Sequence, residues 1–313
     1  MAVYTKLTQE EIALHLTKYE IGELLSFQEI LAGIDNSNFI LTTSKGKFIL
    51  TIFESRIDKK ALPFFINLKL HLAQKGISCP RPILDKQGAV IATLKEKESV
   101  IVTFLNGKPA EKITKQHCFE VGKFLAQLHV AAADFEMYRQ NDLGITGWKP
   151  LLSRFEHLLE NYQKGLRQEI LNELEFLQKS WHLDLPSAAV HLDFFPDNVF
   201  FDELSQASGA IDFYFAADDA LVFDFAITVN AWCFDDQRHF NEEKFGEMLR
   251  GYEEVRKFSV VEKEFLKIAL VGSAMRFLLT RLHDMFFTPK DSFVTIKDPQ
   301  EYLAKLRFFK SKI

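Results

Sequence analysis

Two short segments in the second half of the chain contain polar residues whose types and spacing could support catalysis. Residues 191–201 read HLDFFPDNVFF and hold Asp193 and Asn198, with four residues between them. Residues 209–215 read GAIDFYF, and their apolar, strand-like run ends at Asp212. An acid and an amide on one tight loop can face the same cleft, and an acid on the next strand can complete the set.

The chemistry that suits these side chains is phosphoryl transfer. That reaction needs a group that accepts or orients the proton of the attacking hydroxyl, and oxygen ligands for the Mg²⁺ that clamps the β- and γ-phosphates. Asp193 fits the first task, and Asn198 and Asp212 fit the second. His191 belongs to the same candidate catalytic set, but a buried histidine bonded to the backbone is the commoner case, so we interpret it as the scaffold of the loop.

Other chemistries have no comparable pattern in the chain. The nine histidines are never closer than nine residues apart, whereas zinc sites favour closely spaced histidines or cysteines. The sequence contains no GxGxxG, no GxxxxGK[ST] and no GxSxG. A dinucleotide-binding fingerprint, a P-loop and a hydrolase nucleophile elbow are therefore not supported.

The composition of the 313-residue chain is typical of a globular protein, with 47% hydrophobic residues, 26% charged residues and a net charge of −5. This mild acidity argues against nucleic-acid binding, which uses a basic face. No apolar run reaches the ~18 residues of a membrane helix, the start MAVYTKLTQEEI lacks a secretory-signal pattern, and the three cysteines form no CxxC pair. We expect a cytoplasmic protein that binds neither nucleic acid nor membrane, and the oligomeric state stays open.

The pattern over residues 1–105 predicts a nucleotide-binding lobe rich in β-strands. Thr8 and Glu11 have capping-box spacing and begin a helix that we expect to end near Tyr19. Strand-like runs follow at 24–32, 38–43 and 48–53, and the last two flank the turn Ser44-Lys45-Gly46. A helix at 62–74 and strands at 89–94 and 100–104 complete an antiparallel α+β lobe.

Residues 106–313 predict a second, mainly helical lobe for catalysis and substrate binding. Apolar residues recur at helical spacing from Thr114 to Ala133 and over 151–161, 169–181, 223–232, 241–255 and 259–283. A β-like insert at 188–213 holds the candidate catalytic residues. The whole chain is therefore predicted to be a bilobal α+β protein, with a ligand in the cleft between its lobes.

The motifs resemble those of the aminoglycoside phosphotransferase and choline kinase superfamily, which has a protein-kinase-like fold. HLDFFPDNVFF corresponds to the Brenner-type motif that all these kinases share. A narrower resemblance, to the homoserine kinases of the ThrB type, comes from GIDNSNFILTT, FILTIFE followed by LPFF, IVTFLNG, IDFYFAADD and DFAITVNAWCF. This resemblance covers nearly the whole chain.

The resemblance implies a specific reaction and site. ATP would lie between the lobes, Asp193 would be the base, and Asn198 and Asp212 would hold Mg²⁺. The acceptor would be L-homoserine, and the product O-phospho-L-homoserine, on the way to threonine. The implied nucleotide-binding residues are those of a phosphate-covering loop and of the backbone beside adenine: Gly33, Asn36, Ser37, Asn38, Val102, Phe104 and Leu105.

Homoserine presents an ammonium and a carboxylate, so its pocket should supply an acid and a cationic or amide donor. By family analogy the candidate substrate-binding residues are Asp218, Asp219, Asp224, Asn230, Trp232 and Arg276. Each of them is equally open to a structural role in salt bridges or helix capping. Asp224, at an apolar helix start, could instead brace the catalytic loop.

One position departs from the wider kinase pattern. The strand equivalent to FILTIFE normally carries a lysine that pairs the α- and β-phosphates, but the aligned residue here is Thr51. Lys47 and Arg56 are nearby candidates for the missing charge. His191-Leu192-Asp193 also lacks the arginine with which protein kinases read a phosphorylated activation loop, which favours a constitutive small-molecule kinase.

Two alternatives stay open from the sequence. The same fold could phosphorylate another amino alcohol, a choline-like amine or an aminoglycoside, and the phenylalanine-rich stretch leaves an aromatic cage for choline possible. The loss of the lysine at Thr51 also motivates a nucleotide-binding pseudokinase. The presence of Asp193, Asn198 and Asp212 argues against that last function.

Overall fold

A computed structural model of the chain describes residues 4–31, 36–54, 59–181, 184–289 and 296–313. The chain forms two compact units. The first comprises Met1–Gly107 and Ser208–Tyr214, and the second comprises Lys108–Ala207 and Phe215–Ile313. The first contains an antiparallel sheet and the second is mainly helical, so the predicted α+β class is confirmed.

The first unit is built on a five-stranded antiparallel sheet in the order β1-β2-β3-β5-β4. Its elements are α1 (Gln9–Leu16), β1 (Leu24–Ile30), β2 (Asn36–Thr43), β3 (Gly46–Phe53), α2 (Leu62–Gln74), β4 (Ala92–Leu94) and β5 (Lys97–Thr103). The predicted capping box of Thr8 and Glu11 begins α1. Ile12 and Leu16 of α1 join Phe39, Leu50 and Ile101 of the sheet in one apolar core, which fixes the helix on the sheet.

The predicted hairpin between β2 and β3 is confirmed. Thr43 pairs with Gly46 across the turn, and Gly46 has a φ of 132°, a conformation that side-chain-bearing residues rarely adopt. Because pairing continues without a bulge from this turn, the register places Asn38 opposite Thr51. Two residues that the sequence connects with nucleotide binding are therefore neighbours.

The second unit is dominated by helices. They are α3 (Lys115–Ala131), α4 (Ile145–Ser153), α5 (Leu159–Tyr162), α6 (Leu166–Ser180), α7 (Leu221–Trp232), α8 (Glu242–Val255), α9 (Val260–Phe287) and α10 (Pro299–Lys310). The short strands β6 (Ser187–Val190), β7 (Val199–Phe201), β8 (Ala207–Ala210) and β9 (Ala217–Ala220) interrupt them, and β6 pairs antiparallel with β9. The chain enters the first unit within β8, at Ser208. None of the helices in the described residues is both long and apolar enough to cross a bilayer.

Helix α7 of the second unit packs against α9, α3 and α8. Nearly every residue of α7 is buried, and α9 runs along it and also contacts α10. Helices α3 and α8 approach each other through glycines: a Cβ on Gly122 would lie 2.0 Å from the Met248 carbonyl oxygen, and one on Gly251 would lie 2.0 Å from that of Phe119. This packing holds the helix that supports the candidate catalytic loop.

Three elements differ from the sequence predictions. The helix predicted at 151–161 is interrupted: α4 begins earlier, at Ile145, and ends at Ser153, a 3₁₀ turn spans Glu156–Leu158, and the four-residue α5 follows. The apolar pattern did not show that α4 starts six residues earlier and has Pro150 inside it. Strand β9 and helix α10 were not predicted. Strand β9 reads ADDA and is held by pairing with β6 rather than by strand propensity.

Candidate active site

The predicted catalytic loop lies in the second unit, between β6 and β7, and its backbone is strained. Leu192 has a φ of 62° and is fully buried. Leucine rarely adopts this left-handed conformation, which costs on the order of 1–2 kcal/mol. The surrounding structure must therefore hold the loop in place.

Three buried side chains from α7 and α9 hold the loop backbone. The Asp224 carboxylate accepts hydrogen bonds from the backbone N–H groups of Leu192, at 2.7 Å, and His191, at 3.1 Å. The Arg276 guanidinium donates to the Leu192 carbonyl oxygen, and the Trp232 indole N–H donates to the Phe194 carbonyl oxygen at 2.7 Å. Donors and acceptors on both sides of the strained residue are thus satisfied.

Asp224 is itself fixed by a buried chain of polar groups. Its carboxylate lies 3.0 Å from His129 Nε2, and His129 Nδ1 lies 2.8 Å from the Tyr252 hydroxyl. Burial acts to raise the pKa of Asp224, but His129, His191 and the Leu192 amide stabilise the carboxylate and leave its pKa below the ordinary value. Asp224 is therefore a charged anchor for the loop, which is the structural role that the sequence left open.

Asp193 and Asn198 are brought together on this loop. The Asn198 Nδ2 amide donates to the Asp193 backbone carbonyl at 2.8 Å and to its carboxylate at 3.2 Å. Asp193 is half-buried, whereas the His191 ring is fully buried and accepts a hydrogen bond from the Asp193 N–H. A carboxylate held in one orientation can accept a proton from a hydroxyl placed beside it.

The donor atoms at Asn198 fit a magnesium ion. Both hydrogen bonds from Asn198 to Asp193 use the Nδ2 atom. The Oδ1 atom of Asn198 forms no hydrogen bond with any residue that the structure describes. The described residues contain no group of three or more His, Cys, Asp or Glu side chains that could hold a metal ion. Mg²⁺ does not need such a cage, since it takes one or two protein ligands beside phosphate oxygens and water.

Asp212 lies in the first unit, two residues beyond β8, and has a φ of 63°. Two residues after Asp212, the ring of Tyr214 lies edge-on to the rings of Phe53 and Phe65, each at 5.6 Å between centroids. The buried ammonium of Lys69 lies 5.2 Å from the centre of the Tyr214 ring. Burial lowers the pKa of Lys69 to about 8, while Cys79 and Asp212 oppose that shift.

The predicted phosphate-loop residues that the structure describes are integrated into β2. Ser37 is buried, accepts hydrogen bonds from the Tyr4 and Thr5 N–H groups and donates to Glu54. Asn38 accepts from the Thr51 hydroxyl at 2.8 Å, and Asn36 is buried with no partner for Oδ1 among the described residues. Gly33 and Arg56 lie outside the described residues.

The predicted adenine-contacting segment begins inside β5 and continues past its end at Thr103. Val102 is buried in the strand, whereas Phe104 and Leu105 are half-buried beyond it. The exposed ammonium of Lys47, a sequence candidate for the missing phosphate-pairing charge, lies 5.6 Å from the centre of the Phe104 ring.

The two candidate carboxylates for the acceptor ammonium are adjacent on β9 of the second unit. Asp218 accepts a hydrogen bond from the Arg139 N–H at 2.8 Å, and Asp219 accepts one from the Asn141 amide at 2.6 Å. Burial raises the pKa of both carboxyls, and these hydrogen bonds oppose the shift. Asp218 keeps partial exposure, so it can be reached by a small ligand.

The other candidate acceptor residues make interior contacts. Asn230 donates from α7 to the Leu270 carbonyl and Ser273 hydroxyl of α9, and Trp232 and Arg276 support the loop. Asp193, Asp219 and Asp224 all act electrostatically on Arg276. Its Nε atom has no hydrogen-bond partner among the described residues. That Asn230, Trp232 and Arg276 contact the acceptor stays a prediction.

The sequence analysis did not single out three residues that interact with candidate site residues: Lys69, His129 and Asn141. His129 and Asn141 carry no local signal, because their partners are about 80 to 95 residues away. Lys69 did carry one, since it is one helical turn from Phe65 and Leu72 on the apolar face of α2. A lysine at a core-facing position indicates a buried charge.

Comparison with known proteins gives a family model and close relatives. Residues 26–258 match the model described as "Phosphotransferase enzyme family". A protein of Parvibaculum lavamentivorans named "Homoserine kinase" is 46% identical over 308 residues, which cover 98% of this chain and 96% of that protein. A protein of the same name from Agrobacterium fabrum is 46% identical over 313 residues, covering 99% of this chain and 96% of that protein.

Solved structures with the same fold are more distant in sequence. An amicoumacin kinase, hAmiN, in complex with AMP-PNP, Ca²⁺ and Ami matches with a TM-score of 0.70 and 16% identity, covering 98% of this chain and 93% of that one. Choline kinase from Cryptosporidium parvum matches with a TM-score of 0.68 and 17% identity, covering 97% and 95%. These similarities confirm the expected kinase-like fold.

Proposed function

Because the chain belongs to the phosphotransferase enzyme family, we propose that it transfers the γ-phosphoryl group of ATP to the hydroxyl of L-homoserine, giving O-phospho-L-homoserine. The observation that carries the reaction type is the Asp193 loop, with its strained backbone held by buried polar groups. The acceptor is inferred from relatives that are 46% identical over nearly the full chain and are named homoserine kinase.

Asp193 is the proposed general base. Its carboxylate, oriented by the Asn198 amide, accepts the hydroxyl proton as the homoserine oxygen attacks the γ-phosphorus. The O–P bond to the acceptor forms as the bond to the β-phosphate oxygen breaks, and ADP leaves. Asp224, Trp232 and Arg276 contribute by keeping the Asp193 backbone where the carboxylate can act.

Asn198 and Asp212 are the proposed ligands of Mg²⁺. The ion would neutralise charge on the β- and γ-phosphates. Asn198 offers Oδ1, since its nitrogen already donates to Asp193, and Asp212 lies beside a lysine of the first unit. We assign the rest of the nucleotide to Asn36, Ser37 and Asn38, with the Val102–Leu105 backbone beside adenine.

Asp218 and Asp219 are the proposed partners of the homoserine ammonium. They lie next to each other on β9, and Asp218 is partly exposed. Arg276 is the proposed cation for the carboxylate, since its Nε has no hydrogen-bond partner among the described residues and its other contacts orient the guanidinium. This arrangement would favour a zwitterion over a simple amine.

An acceptor panel tests the proposal. Purified protein is incubated with ATP, Mg²⁺ and one of homoserine, choline, ethanolamine or kanamycin, and ADP release is measured. We expect release to depend on homoserine. Turnover with a different acceptor alone would keep the kinase and replace its substrate, and ATP binding without turnover on any acceptor would favour the pseudokinase.

A further inference from the structure

A lysine of the first unit is buried without a contact in the fold that accounts for its charge. Lys69 on α2 is 4% exposed. Moving an ammonium out of water costs several kcal/mol unless a charge or hydrogen bonds compensate. Within the part of the chain that the structure describes, Lys69 Nζ forms neither a hydrogen bond nor an ion pair.

The surroundings of Lys69 direct its ammonium toward the segment that carries Asp212. The ammonium faces the Tyr214 ring at 5.2 Å, and Phe65, one turn earlier on α2, contacts the same ring edge-on. The Asp212 carboxylate is near enough to act electrostatically on both Lys69 and Tyr214. A weak cation–π contact is worth too little to compensate for full burial of the charge.

The neighbouring strand position is neutral. Thr51 is buried on β3, and its hydroxyl donates to Asn38. The Thr51 side chain is also hydrogen-bonded to the Tyr214 hydroxyl. Lys47, four residues earlier on the same strand, is exposed and faces Phe104. Of these two lysines, Lys69 is the buried one beside Asp212, and Lys47 is the exposed one beside Phe104.

We propose that Lys69 supplies, from helix α2, the positive charge that pairs with the nucleotide phosphates beside Asp212, in place of a cation at Thr51. This inference rests on the proposed use of ATP. It explains the burial, because a bound triphosphate brings the negative charge that compensates the desolvated ammonium. The cost of the buried charge in the free protein is then part of phosphate binding.

Nucleotide binding by a Lys69→Met variant tests the proposal, with the affinities for ATP and adenosine measured by calorimetry. Methionine keeps the length of the side chain and removes its charge. We expect affinity for ATP to fall about 100-fold, as for the loss of a charge pair in a desolvated site, and affinity for adenosine to stay within about 2-fold. The unfolding temperature without ligand should not fall, because a buried charge is removed.

Two control variants make the comparison specific. Lys75→Met removes an exposed lysine just past the end of the same helix, and Lys47→Met removes the rival candidate on β3. Both should bind ATP like the wild type. The proposal is overturned if Lys69→Met keeps wild-type affinity for ATP, if it loses affinity for adenosine equally, or if Lys47→Met shows the loss instead.

A second measurement uses the unaltered protein, so it does not depend on how the variants fold. An acyl phosphate of ATP transfers its acyl group to a nearby lysine: the amine attacks the acyl carbonyl, an amide forms and ATP leaves. We expect mass spectrometry to find the acyl group on Lys69, with protection by excess ATP, and acylation of Lys47 instead would contradict the proposal. Neither measurement contains an acceptor, so a failure of homoserine as substrate would leave both results standing.

Discussion

At the scale of single residues, Asp193 carries the sharpest prediction. Asp193→Asn keeps the shape of the side chain and removes the proton acceptor, so we expect kcat to fall by about 10³-fold, within the range of general-base effects. ATP affinity should stay within about 3-fold of wild type, because the proposed role concerns the acceptor hydroxyl. Steady-state ADP release and ATP-binding calorimetry provide the two measurements.

Asp197 is the matched control on the same loop. It is exposed and lies four residues after Asp193, so Asp197→Asn changes the charge of the loop by the same amount. We expect that variant to turn over like the wild type. Equal losses in both variants would mean that the net charge of the loop, rather than proton acceptance by Asp193, matters for turnover.

Residue types were predictable from the sequence where the spacing is local. Asp193 and Asn198 lie on one short loop, so their spacing indicated the contact that the structure shows. The His129–Asp224 pair could not be found in this way, because its members lie 95 residues apart on different helices. Local patterns identify reacting groups more readily than they identify the buried groups that position them.

His15 gives a prediction about pH and stability. It lies buried on α1 with no partner for Nε2 among the described residues, and burial lowers its pKa to about 4. An unfolded histidine titrates near 6.5, so between pH 6.5 and 4 the unfolded chain binds the proton and the folded chain does not. The contribution of His15 to stability is therefore nearly constant above pH 7 and falls as the pH drops, by about 2 kcal/mol at pH 5.

Urea unfolding of His15→Leu at pH 7 and pH 5 checks that prediction. Leucine fills a buried site with an apolar group and does not titrate. We expect the variant to lose about 2 kcal/mol less than the wild type between the two pH values. An identical loss in the two proteins would show that His15 does not contribute to the acid sensitivity.

At the scale of elements, the contact between α3 and α8 depends on two glycines. A methyl group on Gly122 would lie 2.0 Å from the Met248 carbonyl oxygen, which belongs to the backbone of α8 and cannot rotate away. Gly122→Ala must push the helices apart, and we expect a loss of about 3 kcal/mol in the free energy of unfolding. Urea denaturation measures this change.

Gly246 on α8 is the control for helix propensity. A Cβ there would have no atom within 4 Å, so Gly246→Ala should stabilise the helix by about 0.5–1 kcal/mol. The two substitutions are chemically the same and are expected to have opposite signs. Stabilisation by Gly122→Ala would show that the helices are not in close contact.

Elements with a start signal and a long apolar period were the most predictable. Capping boxes located the starts of α1 and α9, and α2 has the bounds expected from its pattern. The interrupted helix at 151–161 and the missed β9 lack such agreement between local signals. In β9, backbone pairing with β6 overrides the low strand propensity of ADDA.

At the scale of the whole molecule, the two units are not continuous in sequence. Ser208–Tyr214 belongs to the first unit although about 100 residues separate it from Gly107. The Ala210 N–H donates to the Ser78 carbonyl oxygen, and Gly209, with a φ of 153°, leaves room for Ser78 and Leu105 where a Cβ would clash. Such long-range contacts cannot be inferred from spacing or composition.

The three free cysteines report on the unfolding of each unit. Cys79 lies in the first unit, whereas Cys118 and Cys233 lie in the second, and all three are buried. Burial raises the pKa of Cys79 to about 11 and also raises that of Cys233, so the native thiols should resist alkylation. Reaction with iodoacetamide then requires the unit around each cysteine to open.

Pulsed alkylation at increasing urea concentration, followed by peptide mass spectrometry, should modify Cys79 first. The first unit is the smaller of the two, and smaller units bury a lower fraction of their surface, so less denaturant should open it. Without urea none of the three should react, and in strong denaturant all should. A common midpoint for Cys79, Cys118 and Cys233 would mean that the two units unfold as one cooperative body, and earlier reaction of Cys118 or Cys233 would reverse the predicted order of stability.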